Sequence, residues 1–140
     1  MPPEMESKVD NRLPKKYEEL EVGYEFPPVG YKLTPAIVSK FEEAVEARSS
    51  ATNIVPPLAI VAYTIKVASQ LIDIPPGSIH ASQEVEFFKP VTIGSCVNCH
   101  TKVITKTSRA KLNILVIGLG AFDQDGELVL SARTTLILPC

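Results

Sequence analysis

The most conspicuous chemical motif in the sequence is a cysteine pair followed by a histidine, Cys96-Val-Asn-Cys99-His100. This spacing occurs in covalent haem sites and in one half of many zinc sites. Covalent haem belongs to exported proteins, and a closed zinc site needs a second ligand pair, which the sequence lacks. If residues 96–103 form a strand, alternation directs Cys96 and Cys99 to opposite faces. We therefore predict structural thiols and no metal site.

A proton-transfer site is the other chemistry for which the sequence can be searched. A general base at neutral pH is most often a histidine held by a carboxylate. The two histidines, His80 and His100, both lie in segments with strand character, and neither has an identifiable carboxylate partner. Glu46 lies on the polar side of a predicted helix. The residue types alone thus identify no acid–base pair, and His80 stays a weak candidate.

Composition predicts one soluble domain. The chain has 140 residues, of which 45% are hydrophobic and 21% charged, with 14 basic and 16 acidic side chains. This length is enough for one hydrophobic core, and the absence of a basic excess argues against a nucleic-acid partner. The apolar stretch 54–68 contains two prolines and a lysine, so it is too short for a membrane span of roughly 20 residues. We expect no membrane partner.

The first residues give expectations about location and order. They carry charge where a signal peptide needs an apolar core, which favours a cytoplasmic protein. Residues 1–21 are rich in charge and proline without a sustained period, so we predict a flexible N-terminal arm there and a single domain over residues 22–140.

Helical signals appear twice. Thr34-Pro35 is typical of a helix start, with a hydroxyl at the N-cap and proline at the first helical position. This helix should end near Arg48, and its predicted buried positions are Ile37, Phe41, Ala44 and Val45. The second helix, residues 57–72, is apolar on nearly every face and should be covered almost all round.

Strand signals dominate the remainder of the chain. We predict strands near 79–89, 95–106, 110–123 and 127–138, with an Asp125-Gly126 hairpin turn between the last two. An earlier strand near residues 23–33 contains two prolines, which favours an edge position. The predicted fold is α+β, with an antiparallel sheet of about five strands wrapped around one long central helix. Such a sheet covers only part of the helix, so we expect at least a dimer to cover the rest.

Two segments resemble a known family. Residues 76–94 contain Phe87-Phe88-Lys89-Pro90-Val91 followed by Gly94, and residues 122–129 read Phe-Asp-Gln-Asp-Gly-Glu-Leu-Val. In this order and spacing they resemble the second strand and the last hairpin of the MaoC-like hydratases and dehydratases, which have the hot-dog fold. The resemblance covers residues 24–139 and is strongest in the C-terminal half.

The resemblance implies that the domain accommodates an acyl thioester carried by CoA or acyl carrier protein, with no other cofactor. The chemistry would take place at the N-terminus of the central helix, where amide groups and the helix dipole can stabilise a thioester oxyanion. Pro56 and Pro57 cannot donate, so the amide of Leu58 and later amides are the candidates. The expected substrate contacts are Leu58, Ala59, Tyr63, Lys89 and Pro90.

The sequence differs from the family at the catalytic motif. Active members carry Asp-x-Asn-Pro-x-His soon after the first helix. Counting from Phe41, the aspartate position falls on Ala47 and the histidine position on Thr52, so neither titratable group is present. Thr52, Asn53 and His80 are the only candidates left for a catalytic role, all of them weak.

Three hypotheses follow. The chain is a subunit or paralogue without the catalytic pair that binds acyl chains and supports a catalytic partner, as a homodimer or as a heterodimer with a second hot-dog subunit. Alternatively it is an active enzyme, either a hydratase with unusual residues or an acyl-CoA thioesterase. The thioesterase is disfavoured because no acid lies between Leu58 and Ile72. The third hypothesis is a homo-oligomer that binds an acyl thioester without catalysis.

Overall fold

A computed structural model describes residues 14–45 and 53–140 of the chain. Within these ranges there are two α-helices and five strands. The helices are α1 (Pro35–Ala44) and α2 (Pro57–Leu71), and the strands are β1 (Val29–Lys32), β2 (Ile79–Phe87), β3 (Cys96–Arg109), β4 (Leu112–Phe122) and β5 (Leu128–Pro139). Neither of the two helices has the length and hydropathy needed to cross a membrane.

The strands form one antiparallel sheet with the order β1-β3-β4-β5-β2. Strands β3, β4 and β5 pair in succession through tight turns, and the predicted Asp125-Gly126 turn is confirmed, with Gly126 at φ 80°. The predicted edge strand is also confirmed: β1 is a short edge strand, and before it Glu25 forms only an isolated bridge with Lys102. Two prolines between them remove ladder donors.

Alternation along β3 places the core where the sequence predicts it. Val97, Cys99, Thr101 and Val103 are all buried on the inner face of the sheet, where α2 packs, and the intervening Asn98 and His100 are exposed. Cys96 and Cys99 therefore lie on opposite faces, as predicted. Among the described residues no three histidine, cysteine or carboxylate side chains are close enough to hold a metal ion.

Within this chain the central helix is covered on one side only, so the predicted cover on nearly every face is confirmed only in part. Seven residues of α2 are buried against the inner face of the sheet, chiefly over β3 and β4. Leu58, Ala62, Lys66 and Ser69 are exposed on the other side. A five-stranded sheet cannot curl far enough to enclose a helix, so the apolar residues outside its reach stay open within this chain.

The first helix begins as predicted, because the Thr34 hydroxyl accepts a hydrogen bond from the Ile37 amide at 3.2 Å. Its predicted buried face is partly wrong. Val38 is the buried residue, whereas Ala44 and Val45 are exposed and Ile37 and Phe41 only partly covered. Val38 lies in the core and Phe41 packs against its edge, so only the middle of this short helix contacts the core.

Residues 15–20, which belong to the predicted arm, pack against the rest of the structure. Leu20 is only 1% exposed, and the preceding segment is held by backbone hydrogen bonds from Lys15 to Leu71 and from Asp73 to Lys15. The Lys106 ammonium donates to the Leu20 carbonyl at 2.8 Å. Charge and proline favoured the prediction of an arm, but the burial of Leu20 together with these hydrogen bonds holds the segment in place. Residues 1–13 of the predicted arm lie outside the described residues.

Candidate functional site

The most open apolar surface lies along β2 and the N-terminal half of α2. Every residue of β2 except Gln83 is exposed, on both faces of the strand. On the inner face, Val85 and Phe87 are 36% and 43% exposed, and Phe88 just beyond the strand is 50% exposed. Leu58, on the uncovered side of α2, is 65% exposed. We call these four residues the open face. The Val55 amide donates to the Val91 carbonyl, which brings the start of α2 close to the segment after β2, and exposed apolar side chains in such an arrangement mark surfaces that bind another molecule.

The edge of the sheet continues the open face. β2 pairs with β5 along one side, and in the described residues no strand pairs with its other side. An unpaired edge presents a row of backbone donors and acceptors that a second chain can extend. At the opposite edge, β1 is only four residues long and passes directly into α1. β2 is therefore the better edge for association.

The N-terminus of α2 offers few amide donors. Pro56 occupies the N-cap without a side-chain cap, and Pro57 is the first helical residue. The Ala59 amide donates to the Pro56 carbonyl at 2.9 Å. The Leu58 amide is consequently the first candidate donor for an oxyanion, and its side chain lies on the open face. The Ala59 side chain is fully buried, and it faces the core.

Lys89 and Pro90, two expected substrate contacts, lie beside the β4–β5 turn. The Lys89 ammonium is 2.6 Å from both the Asp123 carboxylate and the Glu127 carboxylate. Asp123 also accepts hydrogen bonds from two amides of the turn. The hydrogen bonds from Lys89 to the two carboxylates raise the pKa of Lys89, and the lysine holds the pKa of Asp123 below its usual range. Lys89 thus fastens the segment after β2 to the last hairpin.

The two histidines lie on opposite faces of the sheet. His80 is at the start of β2, where its Nε2 is 3.0 Å from the Gln83 Oε1. The Thr134 hydroxyl donates to the same oxygen at 2.7 Å. His100 packs edge-on against Phe122, with ring centroids 4.8 Å apart. Neither histidine forms an ion pair with a carboxylate of the described residues, so neither is arranged as an oriented general base.

The loop that should carry the catalytic pair is only partly described. Ala47 and Thr52, the positions of the expected aspartate and histidine, lie outside the described residues. Asn53 is exposed, and its carbonyl accepts a hydrogen bond from the Ile93 amide at 2.8 Å. This bond joins the end of the loop to the turn before β3.

A buried polar cluster that the sequence did not reveal lies under the helix. The Thr64 hydroxyl donates to the Ile60 carbonyl at 2.8 Å, and the Tyr31 hydroxyl lies 3.3 Å from Thr64. The Cys99 thiol is 3.7 Å from the Thr64 hydroxyl. Burial raises the pKa of Cys99 to about 11 and raises that of Tyr31 as well. Both groups are therefore neutral at physiological pH, and the cluster is structural. Its residues come from β1, α2 and β3, so the cluster could be identified only once the pairing of these distant segments was known.

Solved structures of similar shape include three informative ones. R-hydratase PhaJ1 from Pseudomonas aeruginosa has a TM-score of 0.74 at 20% identity, over 88% of this chain and 84% of that one. A MaoC-like dehydratase from Rhodospirillum rubrum has a TM-score of 0.68 at 20% identity, over 87% and 94% of the two chains. The chain has the hot-dog fold of the MaoC-like proteins. No family model and no curated protein matches the sequence.

A third similar hot-dog structure is a complex of unlike subunits. The HadBC (3R-hydroxyacyl-ACP dehydratase) complex from Mycobacterium tuberculosis has a TM-score of 0.68 at 20% identity, over 83% of this chain and 96% of that one. At this level of identity the likeness concerns the fold. The hot-dog architecture accounts for the one-sided cover of α2, since the sheet of one chain reaches only part of the helix.

Proposed function

We propose that this chain is a MaoC-like subunit that binds an acyl thioester and associates with a second hot-dog chain. That second chain supplies the proton-transfer groups that this one lacks. The open face is the observation that carries the proposal. Leu58, Val85, Phe87 and Phe88 are apolar and exposed beside the unpaired edge of β2, so a second chain is needed to cover them.

The pocket for the acyl chain would lie between the uncovered side of α2 and the partner. Its apolar wall is supplied by the open face, and the Leu58 amide at the helix N-terminus is available for the thioester oxygen. Of the substrate contacts expected from sequence, Leu58 fits this position. Ala59 is buried in the core, and Lys89 is held in an ion-pair cluster. Both residues therefore support the pocket indirectly.

A missing acid–base pair supports the role of a dependent subunit. The sequence has Ala47 and Thr52 at the positions where active relatives carry aspartate and histidine. His80 follows α2 in the chain, at the start of β2, and its Nε2 is 3.0 Å from the side-chain amide oxygen of Gln83 rather than beside a carboxylate. Hydration of a double bond needs a group that takes a proton from water, and none of the described residues is arranged to do so.

The activity test compares this chain alone with the same chain co-expressed with a hot-dog protein that carries the intact aspartate and histidine. Hydration of crotonyl-CoA is followed by the loss of absorbance of its conjugated double bond. We expect background rates from this chain alone and hydration by the complex. Rapid hydration by the purified chain without a partner would refute the proposed division of roles.

The association test uses matched charge substitutions on β2. Val85→Glu places a carboxylate on the open face, whereas Ser82→Glu places one on the outer face of the same strand. We expect Val85→Glu to convert the assembly to single chains, measured by light scattering, and Ser82→Glu to leave it associated. Equal effects of the two substitutions would exclude the open face as the interface.

A further inference from the structure

A cavity lies beside α2 at the β1 edge of the sheet, whereas the open face lies at the β2 edge. It is a groove of about 960 Å³ between α1, α2 and the β1 edge of the sheet. Tyr63 and Val67 of α2 line it, whereas Leu58 and Ala62 of the same helix point elsewhere. The groove residues of α2 fall between positions 63 and 70, whereas Leu58 is at the N-terminus of the helix, so the groove and Leu58 use different parts of α2. A volume of this size is typical of ligand pockets.

The floor of the groove is apolar and aromatic. The rings of Tyr31 and Tyr63 are stacked with centroids 5.7 Å apart and an interplanar angle of 29°. The Tyr31 hydroxyl is directed to Thr64 and to the Ile60 carbonyl inside the protein, so its ring is the part that can face a ligand. Val67, which is nearly buried, extends this floor. Such a surface favours an aliphatic chain over a polar one.

The rim of the groove is positively charged. Lys32 from β1, Lys40 from α1 and Lys66 from α2 line it, together with one carboxylate, Glu43. The whole chain has a net charge of −2, so this cluster is a local concentration rather than part of a basic protein. The Lys66 ammonium lies 5.5 Å from the centroid of the Tyr63 ring, which places a charge directly above the apolar floor. Three cations against one carboxylate leave the rim with an excess of positive charge, which attracts an anion to this apolar surface.

We propose that this groove binds an anionic amphiphile, with an aliphatic chain on the tyrosine floor and a carboxylate or phosphate head among the three lysines. The ligand class follows from the two chemistries that the groove combines. A neutral chain would leave the lysines without an ion, and a small inorganic anion would leave the floor exposed. Because the groove lies at the β1 edge of the sheet and the open face lies at the β2 edge, at the other end of the strand order, this site is separate from the proposed thioester pocket and needs no partner chain.

The test measures binding by titration calorimetry to the full-length chain. The probes are decanoate and decyl phosphate, with decanol and decyltrimethylammonium as the neutral and cationic controls. We expect both anions to bind, the neutral alcohol to bind more weakly, and the cation not to bind. Binding of only one anion would assign the head group to a carboxylate or to a phosphate. Equal affinity for decanoate and decanol, or no binding of either anion, would overturn the proposal.

Matched variants locate the site. The rim variant replaces Lys32, Lys40 and Lys66 by Gln, and the control variant replaces Lys102, Lys111 and Arg133, all outside the groove, by Gln. Both remove three positive charges from exposed or half-exposed positions, so both should fold, which circular dichroism can check. We expect the rim variant to bind decanoate about tenfold more weakly, since exposed ion pairs contribute modestly, and the control variant to bind normally. Equal weakening in both variants would indicate non-specific attraction and would exclude the groove.

Gln70→Trp tests the floor independently of charge. Gln70 is exposed and lines the groove, so an indole there fills the space beside Tyr63 and Val67. We expect this variant to lose decanoate binding while its association and any hydration with a partner stay unchanged. Retained binding in the Gln70→Trp protein would place the ligand elsewhere. A failure of the crotonyl-CoA experiment leaves these measurements unaffected, because they use neither a thioester nor a second protein.

Discussion

Leu20 gives the sharpest test of how the N-terminal segment is held. Its side chain is 1% exposed, and it belongs to the same core cluster as the buried residues of the sheet and of α2. Leu20→Ala removes apolar atoms from this core, and for a fully buried leucine the expected loss in the free energy of unfolding is about 2–5 kcal/mol. Because the segment is at the edge of the core and can partly collapse, we expect about 2–3 kcal/mol, the lower part of that range.

The matched control is Val22→Ala, two residues further along. Val22 is 63% exposed, so its truncation should change the free energy of unfolding by less than about 0.5 kcal/mol. Urea denaturation followed by circular dichroism measures both. With a urea slope of roughly 2 kcal/mol per molar, Leu20→Ala should lower the midpoint by about 1 M. All proteins are compared at one concentration, since association shifts the midpoint. Equal midpoints for the two variants would show that Leu20 is not anchored in the core.

Two further predictions concern titratable groups. The Lys89 ammonium depresses the pKa of Asp123, so this carboxylate stabilises the fold above its ordinary pKa, near 4, and the contribution is lost as the pH falls through the depressed value. Asp123→Asn should therefore flatten the acid limb of a stability-against-pH curve, and an unchanged limb would count against the ion pair. Cys99, with its pKa raised to about 11 by burial, should react with a thiol reagent only after denaturation, whereas exposed Cys140 should react at once. Rapid labelling of all three thiols in the native protein would contradict this.

Local signals predicted the elements well because they depend on neighbouring residues. The Thr34 cap, the Asp125-Gly126 turn and the alternation along β3 each involve contacts within a few residues, and the structure confirms all three. The prediction that Cys96 and Cys99 lie on opposite faces of β3 followed from the same alternation. The burial of α1 was predicted less well, because helical spacing indicates which residues share a face but not how closely that face approaches its neighbour.

The candidate site was predicted only in part. The sequence suggested the N-terminus of the central helix, and it correctly excluded amide donors at Pro56 and Pro57. It did not predict that Lys89 is held by two carboxylates of the last hairpin, because those residues are more than thirty positions away. Nor did it predict the groove floored by Tyr31 and Tyr63, which come from different elements.

The sequence by itself determined which segments are helices and strands and that the fold is α+β, whereas the single domain and the replacement of the catalytic pair by Ala47 and Thr52 stay predictions. These properties are set by side-chain type and short-range spacing, which can be read along the chain. Only the tertiary structure decided which side of α2 is left open, that Leu20 joins the core, and that three lysines from separate elements surround one groove. Each of these depends on the register and packing of distant segments, and short-range periodicity carries no information about distances of that kind.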